Sequence, residues 1–125
     1  MTTNYTRTFV ASGAIGGRRF AKYGADDTLM AKATAAADLI MGVTERIDAA
    51  DGERVDVVLS GPAEVVLGDT VTRGQYLTAD ADGAAVPCAP GAGTKAQYGA
   101  KALQSGVVGD FIEVMVERGQ LTTPA

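Results

Sequence analysis

The sequence predicts a mainly β fold, a small antiparallel β-barrel or sandwich with an extended N-terminal arm and at most one short helix. Short segments of alternating apolar and polar residues recur every eight to twelve residues or so, which is typical of such folds. Glycine, proline and aspartate separate these segments, and the chain has 16 glycines against four tyrosines, three phenylalanines and no tryptophan. At 125 residues and 46% hydrophobic composition, one domain with one core is expected.

The N-terminal segment, residues 1–20, is predicted to be an extended arm or irregular lead-in. Residues 12–17 read SGAIGG, too rich in glycine to order without neighbours. No acidic residue occurs before Asp26, whereas four cations do: Arg7, Arg18, Arg19 and Lys22. The segment is either a solvated terminus or an arm that lies against an acidic or strand-pairing partner. A β-rich body then covers residues 21–119, and residues 120–125 form a C-terminal tail.

Residues 27–43 permit two interpretations. Alanine favours a helix, and Leu29, Ala33 and Ile40 lie at helical spacing. Thr28 and Thr34 are poor helix formers, however, and the apolar run LIMGV that ends in this region is typical of a buried strand stopped by glycine. We favour strand, turn at residues 36–38, then strand, while helix or strand stays open for residues 28–37.

The remainder of the chain is predicted to be β-structure. Val55, Val57 and Leu59 alternate with polar residues, as in a half-buried strand. Turns follow at Ser60, Gly61 and Pro62, at Gly68 and Asp69, and at the hairpin dipeptide Asp82 and Gly83. Residues 87–94 form a loop. The last strand, FIEVMVERG, places Ile112, Val114 and Val116 on one face and Phe111, Glu113, Met115 and Glu117 on the other.

The composition excludes several classes of chemistry. Without histidine there is no imidazole base, and the single cysteine, Cys88, cannot form an intrachain disulfide or a zinc site. A net charge of −4 argues against a broad nucleic-acid-binding surface, and no apolar run is long enough to span a membrane. We therefore expect no enzyme activity, cofactor or metal, and no nucleic-acid or membrane partner.

Three local patterns partly match the motifs of known binding sites, but each lacks residues that such a site requires. GAGTK, residues 91–95, lacks the residue order of a phosphate-binding loop, and DADG, residues 80–83, lacks the distal ligands of a calcium loop. GDTVTRGQYL, residues 68–77, resembles small β-barrel carrier domains, which present a lysine at a hairpin tip. The corresponding tip here, DADGAA, has none. A β-barrel carrier or ligand-binding module is thus the alternative function.

Over residues 24–119 the chain resembles the capsid cement, or head decoration, proteins of tailed bacteriophages. The resemblance rests on LIMGV, on ERVDVVLSGPAEVVLGDTVTRGQYLTADADGAAV and on YGAKALQSGVVGDFIEVMVERG. It implies a non-enzymatic virion protein, made in the host cytoplasm, that sits on the outer surface of the capsid. Such proteins act as homotrimers that clamp neighbouring major capsid protein subunits and stabilise the shell.

Seven residues are candidates for contacting the capsid or a neighbouring protomer. Five lie in the predicted arm and two in or beside the Val-Thr-Arg-Gly turn. For each, a solvated charge or a core aromatic is the ordinary alternative. The candidates are Arg7, Phe9, Arg18, Arg19, Phe20, Arg73 and Tyr76.

Overall fold

The computed structural model describes residues 4–124, which form nine β-strands and no helix. The predicted mainly β class is thereby confirmed. None of these residues belongs to a helix able to cross a membrane. The strands are β1 (Tyr5–Ala11), β2 (Phe20–Tyr23), β3 (Leu29–Lys32), β4 (Ile40–Thr44), β5 (Arg54–Val66), β6 (Tyr76–Ala79), β7 (Ala85–Pro87), β8 (Lys95–Ala102) and β9 (Phe111–Thr122).

The first five strands close into a barrel, and the last four extend from it as a second layer. The strand order is β1-β3-β2-β4-β5-β9-β8-β6-β7, and an additional pairing of β1 with β5 closes the ring. All pairs are antiparallel except β1 with β3, where Val10 lies opposite Leu29 in parallel register. The fold is thus the predicted small antiparallel barrel with one parallel pair, which arises because a closed ring of five strands cannot alternate direction throughout.

The segment predicted as an arm contains an integral strand of the barrel. Strand β1 pairs with β5 from Tyr5 opposite Ser60 to Val10 opposite Arg54. Residues 12–17 are irregular, as their glycines predict, but they are held in place. The carboxylate of Asp51 accepts a hydrogen bond from the Gly13 amide, as does that of Asp48 from Gly17. Residues 5–20 are therefore folded against the body, and residues 1–3 lie outside the described part of the chain.

Residues 27–43 adopt the favoured strand, turn and strand. Strands β3 and β4 flank a turn in which the Asp38 carboxylate accepts a hydrogen bond from the Thr34 amide at 2.9 Å. Burial of Met30 and Ala33 in the two cores outweighs the helix propensity of the alanines. Glycine does not stop the apolar run as predicted, because Gly42 lies in the middle of β4.

The predicted turn at Ser60, Gly61 and Pro62 is wrong, because β5 continues through these residues to Val66. At this point the strand changes partner: Ser60 still pairs with β1, whereas Gly61 lies opposite Val116 of β9. Gly61 has a φ of +96°, a conformation that glycine adopts without a steric penalty. The Gly-Pro dipeptide thus marks the passage of one strand from the barrel into the second layer.

Two hydrophobic cores result from this arrangement. The barrel interior contains nine buried residues from β1 to β5 and their connections, including Phe9, Met30 and Met41. The larger core lies between the barrel wall and the second layer and includes Phe20. The neighbours Val57 and Val58 contribute to different cores, so this part of β5 is buried on both faces. The last strand, β9, follows the predicted alternation but extends to Thr122, into the segment predicted as the tail.

Candidate functional site

The two phenylalanines among the candidate contact residues lie in the interior. Phe9 is 6% exposed in the barrel core, and Phe20 is fully buried in the larger core. Both residues are therefore core aromatics, which was the ordinary alternative to a contact role. Their side chains contribute apolar burial to the fold, and neither is presented at the surface of the chain.

Three of the candidate arginines lie apart from one another. The Arg7 guanidinium stands 5.3 Å from the centre of the Phe9 ring on β1. Arg19 donates a hydrogen bond from Nη1 to the Asp82 carbonyl oxygen at 2.9 Å. Arg73 is exposed in the turn before β6, and its backbone amide is hydrogen-bonded to Ser105. The sequence candidates thus do not form one site.

Arg18 is held in an unusual conformation that aims its side chain at β9. Its φ is +58°, in the left-handed region that costs a non-glycine residue about 1–3 kcal/mol. Backbone bonds compensate, because its amide donates to the Glu45 carbonyl at 3.0 Å and its carbonyl accepts from Val66 at 2.9 Å. The guanidinium lies 4.2 Å from the Phe111 ring centre. The strained backbone therefore places a cation over an exposed aromatic ring.

An exposed apolar surface surrounds this ring, which we call the Phe111 surface. Phe111 is 55% exposed, Val107 56% and Val108 65%, with Leu103 at the adjacent end of β8. Two hydrogen bonds hold the connecting turn: the Asp110 carboxylate accepts one from the Val107 amide and the Asp110 carbonyl accepts one from the Leu67 amide, both at 2.9 Å. Contiguous exposed apolar groups of this kind mark interaction sites.

The alternation of residues in β9 predicts Phe111 on its outward face, but no pattern in the sequence indicates this surface. The alternation that buries Ile112 and Val114 necessarily turns Phe111 outward. This alternation describes one strand only. The surface also includes residues of the loop before β9 and of the end of β8, which the fold brings beside Phe111.

Acidic groups border the Phe111 surface. Glu113 of β9 lies directly opposite Glu64 of β5, an unfavourable pairing of like charges. Glu64 is compensated by Arg18 at 3.2 Å and by Arg46 at 3.6 Å. The ion pairs found within residues 4–124 do not include Glu113. One exposed carboxylate is therefore available at the edge of the Phe111 surface.

A second surface lies toward the other end of β9, and we call it the Tyr23 surface. It consists of Tyr23, Leu39 and Arg118, and the first two side chains are 53% and 63% exposed. Arg118 donates a hydrogen bond from Nη1 to the Tyr23 hydroxyl at 2.9 Å. Two open grooves, of about 370 and 450 Å³, flank this pair. No ion pair within the described chain involves Arg118.

Tyr76, the remaining candidate, belongs to a cluster on β6 and β8. Its ring centre lies 4.2 Å from that of Tyr98, and the Lys101 ammonium stands 5.6 Å from the Tyr76 ring centre. Partial burial raises the pKa of the Tyr98 hydroxyl, and Tyr76 and Glu117 add to that effect. Both rings are half-buried, so they stabilise the second layer and expose only part of their edges.

Cys88 is expected to react slowly with thiol reagents. Its side chain is buried, with Sγ 3.9 Å from the Gln97 carbonyl oxygen, and burial raises the pKa of the thiol. A raised pKa reduces the reactive thiolate at pH 8, so alkylation of the folded protein should be about tenfold or more slower than alkylation in denaturant. Mass spectrometry of timed samples measures both rates. Equal rates would contradict the buried position of this thiol.

The described residues contain no group of three or more cysteine or carboxylate side chains arranged to hold a metal ion. No protein-family model matches the chain, and no curated protein matches it. Among solved structures, the chain is similar to the head fiber gp8.5 N base of bacteriophage phi29. The TM-score is 0.66 at 21% identity, over 95% of this chain and 98% of that chain. This similarity shows a shared fold along nearly the whole length of both chains.

Proposed function

We propose that this protein is a structural virion protein that attaches to the outside of a phage capsid. In this role it stabilises the shell by clamping neighbouring major capsid protein subunits, as a homotrimer, and it catalyses no reaction. The observation that carries the proposal is the fold shared with the phi29 head fiber base over 95% of the chain. The sequence resemblance to capsid decoration proteins supports it independently.

The arrangement of the chain suits a mechanical role. The exposed apolar groups of the Phe111 surface provide area for contact with a partner protein. The two cores and the closed barrel provide a compact body that carries this surface. Contacts that are weak in one protomer become strong when three protomers are joined, because later contacts form at high effective concentration. Stabilisation of a shell therefore does not require a large interface in each copy.

We assign capsid contact to the exposed arginines Arg7 and Arg73. Both are exposed and lie outside the ion pairs of residues 4–124, so each can pair with an acidic group of the shell. One exposed ion pair contributes about 0.2–1 kcal/mol, and three copies multiply this contribution. The double variant R7A/R73A should therefore bind heads about tenfold more weakly than wild type.

The test uses DNA-filled phage heads that lack their own decoration. Wild-type protein should co-sediment with the heads at fixed stoichiometry and raise the temperature at which they release DNA. The matched control is R54A, because Arg54 is also exposed but is not among the contact candidates. Failure of the wild type to bind under mild salt would overturn the proposal. Added covalent mass on a lysine in protein from native host cells would favour the carrier alternative instead.

A further inference from the structure

We propose that an extended segment of a major capsid protein subunit inserts as an additional strand beside β1, in the groove between β1 and residues 23–27. The inference rests on the proposed function, because the capsid supplies the segment, and it deepens that function by naming the mode of attachment. The free backbone edge of β1, the groove beside it and the form of the other connections in the chain support it.

Strand β1 has a neighbouring strand on one side only for most of its length. It pairs with β5 from Tyr5 to Val10, whereas β3 pairs with Val10 and Ala11 alone. The contact between β1 and β3 is therefore two residue pairs long. Within residues 4–124, no strand lies beside the first half of β1 on the side away from β5.

The free side of β1 presents unpaired backbone groups. Successive residues of a strand point their amides and carbonyls to opposite sides. The Val10 amide donates to the Thr28 carbonyl at 2.8 Å, on the side away from β5. Thr6 and Thr8 point to the same side as Val10, and no hydrogen bond within residues 4–124 engages their amides or carbonyls. An edge of this kind is a template for pairing with another chain.

A groove of about 450 Å³ lies beside this edge and reaches the barrel core. Its apolar lining includes Phe9, Met41 and Leu59, and residues 23–27 between β2 and β3 also line it. Side chains of an added strand would alternate between the groove and the opposite face, because a strand has period two. At least one apolar side chain of the segment would therefore contact the barrel core and leave water.

The charged groups around the groove have both signs. Arg7 and Arg118 line it together with Asp26 and Asp27. The Asp26 carboxylate already accepts hydrogen bonds from the Thr28 amide and hydroxyl, at 2.9 and 2.8 Å. This balance selects neither a cationic nor an anionic ligand. The backbone edge and the apolar lining identify the occupant instead, as an extended peptide that adds main-chain hydrogen bonds and one apolar side chain.

A second copy of the chain does not supply such a peptide from residues 4–124. The inserted strand must be free of a sheet of its own, because β1 lies on one side of the groove and residues 23–27 on the other. The connections between strands in this chain are turns, several of them with a glycine at positive φ, such as Gly52 at +84° and Gly109 at +90°. The segment therefore comes from a different polypeptide, which the proposed function identifies as a capsid subunit.

The test blocks the edge with proline and measures binding to DNA-filled heads that lack their own decoration. T8P removes an outward amide and places a ring where the segment would lie, so it should bind about tenfold or more weakly than wild type. T8A is the matched control, because it loses the same hydroxyl contact with Asp56 but keeps the amide. It should bind like wild type. In wild type, amide hydrogen exchange of residues 5–9 should slow when the protein is bound to heads.

Thermal unfolding tests the direction of the Thr8 amide without any partner. R7P removes an amide from the ladder with β5, since Arg7 points to the side opposite Thr8. It should lower the melting temperature by about 5 °C or more, whereas T8P should melt within about 3 °C of T8A. Equal losses in R7P and T8P would overturn the inference.

Head binding separates this inference from the proposed function. Full binding by folded T8P, or unchanged hydrogen exchange of residues 5–9 on the heads, would overturn the inference and leave the proposed function intact. Wild type that ignores the heads would contradict the proposed function, and the inference would fall with it. A wild-type oligomer in solution that T8P dissociates would show a second copy at the edge of β1, which also overturns the inference.

Discussion

Replacement of Phe20 with alanine should lower the free energy of unfolding by about 3–5 kcal/mol, a large share of the roughly 5–15 kcal/mol that stabilises a typical domain. The Phe20 side chain is fully buried in the larger core, where it packs between the barrel wall and the second layer. A Cβ at Gly99 of β8 would lie 2.9 Å from the Phe20 ring, which shows how closely the second layer approaches it. Truncation therefore leaves a cavity at the junction of the two layers.

Urea unfolding of F20A measures this loss, and F111A is the matched control. Phe111 is 55% exposed, so the same truncation there should cost less than about 1 kcal/mol. The two variants remove identical atoms and differ only in burial. Similar losses for both would contradict the placement of Phe20 in the interior.

Replacement of Gly42 with alanine should destabilise the protein by about 3 kcal/mol or more and reduce its soluble yield. A Cβ at this position would collide with the carbonyl oxygen of Val58 and would lie 3.0 Å from the Val57 side chain. The obstacle is backbone rather than the end of a flexible side chain. Strand β4 must therefore move away from β5, at the seam where Val43 pairs with Val58.

The control for G42A is G91A, in the loop before β8. The nearest atom to a Cβ at Gly91 is the Thr94 hydroxyl oxygen at 3.8 Å, an ordinary contact. The free energy of unfolding of G91A should therefore stay within about 0.5 kcal/mol of the wild-type value. Thermal unfolding monitored by circular dichroism compares the two variants. An unchanged melting temperature for G42A would show that β4 and β5 do not approach as closely as described.

The F20A effect concerns the contact between the barrel and the second layer, and this contact also positions the Phe111 and Tyr23 surfaces. The G42A effect concerns the seam between β4 and β5 within the barrel. The Phe111 surface is built on β9, which pairs with the second half of β5. The Tyr23 surface combines β2 of the barrel with the far end of β9, joined by the hydrogen bond from Arg118 to Tyr23. Damage to the layer junction should therefore disturb both surfaces as well as lower the stability of the fold.

Local patterns in the sequence determined the class of fold and the positions of several strands along the chain. Ile112, Val114 and Val116 alternate with polar or exposed residues, and period two places them on one buried face whatever strand lies opposite. The hairpin at Asp82 and Gly83 is equally local, because the turn requires the positive φ that Gly83 adopts, at +78°. Such features depend only on neighbours in the chain.

Tertiary structure decided what depends on distant partners. Ser60, Gly61 and Pro62 have the composition of a turn, yet β5 passes straight through them, because β1 pairs with the strand before this point and β9 after it. Val58 would face solvent in an isolated half-buried strand, but the second layer covers it. The predicted arm, likewise, contains a barrel strand, because β1 pairs with β5. Burial and pairing of this kind arise between residues far apart in sequence, so no local periodicity predicts them. The Phe111 surface results from such contacts.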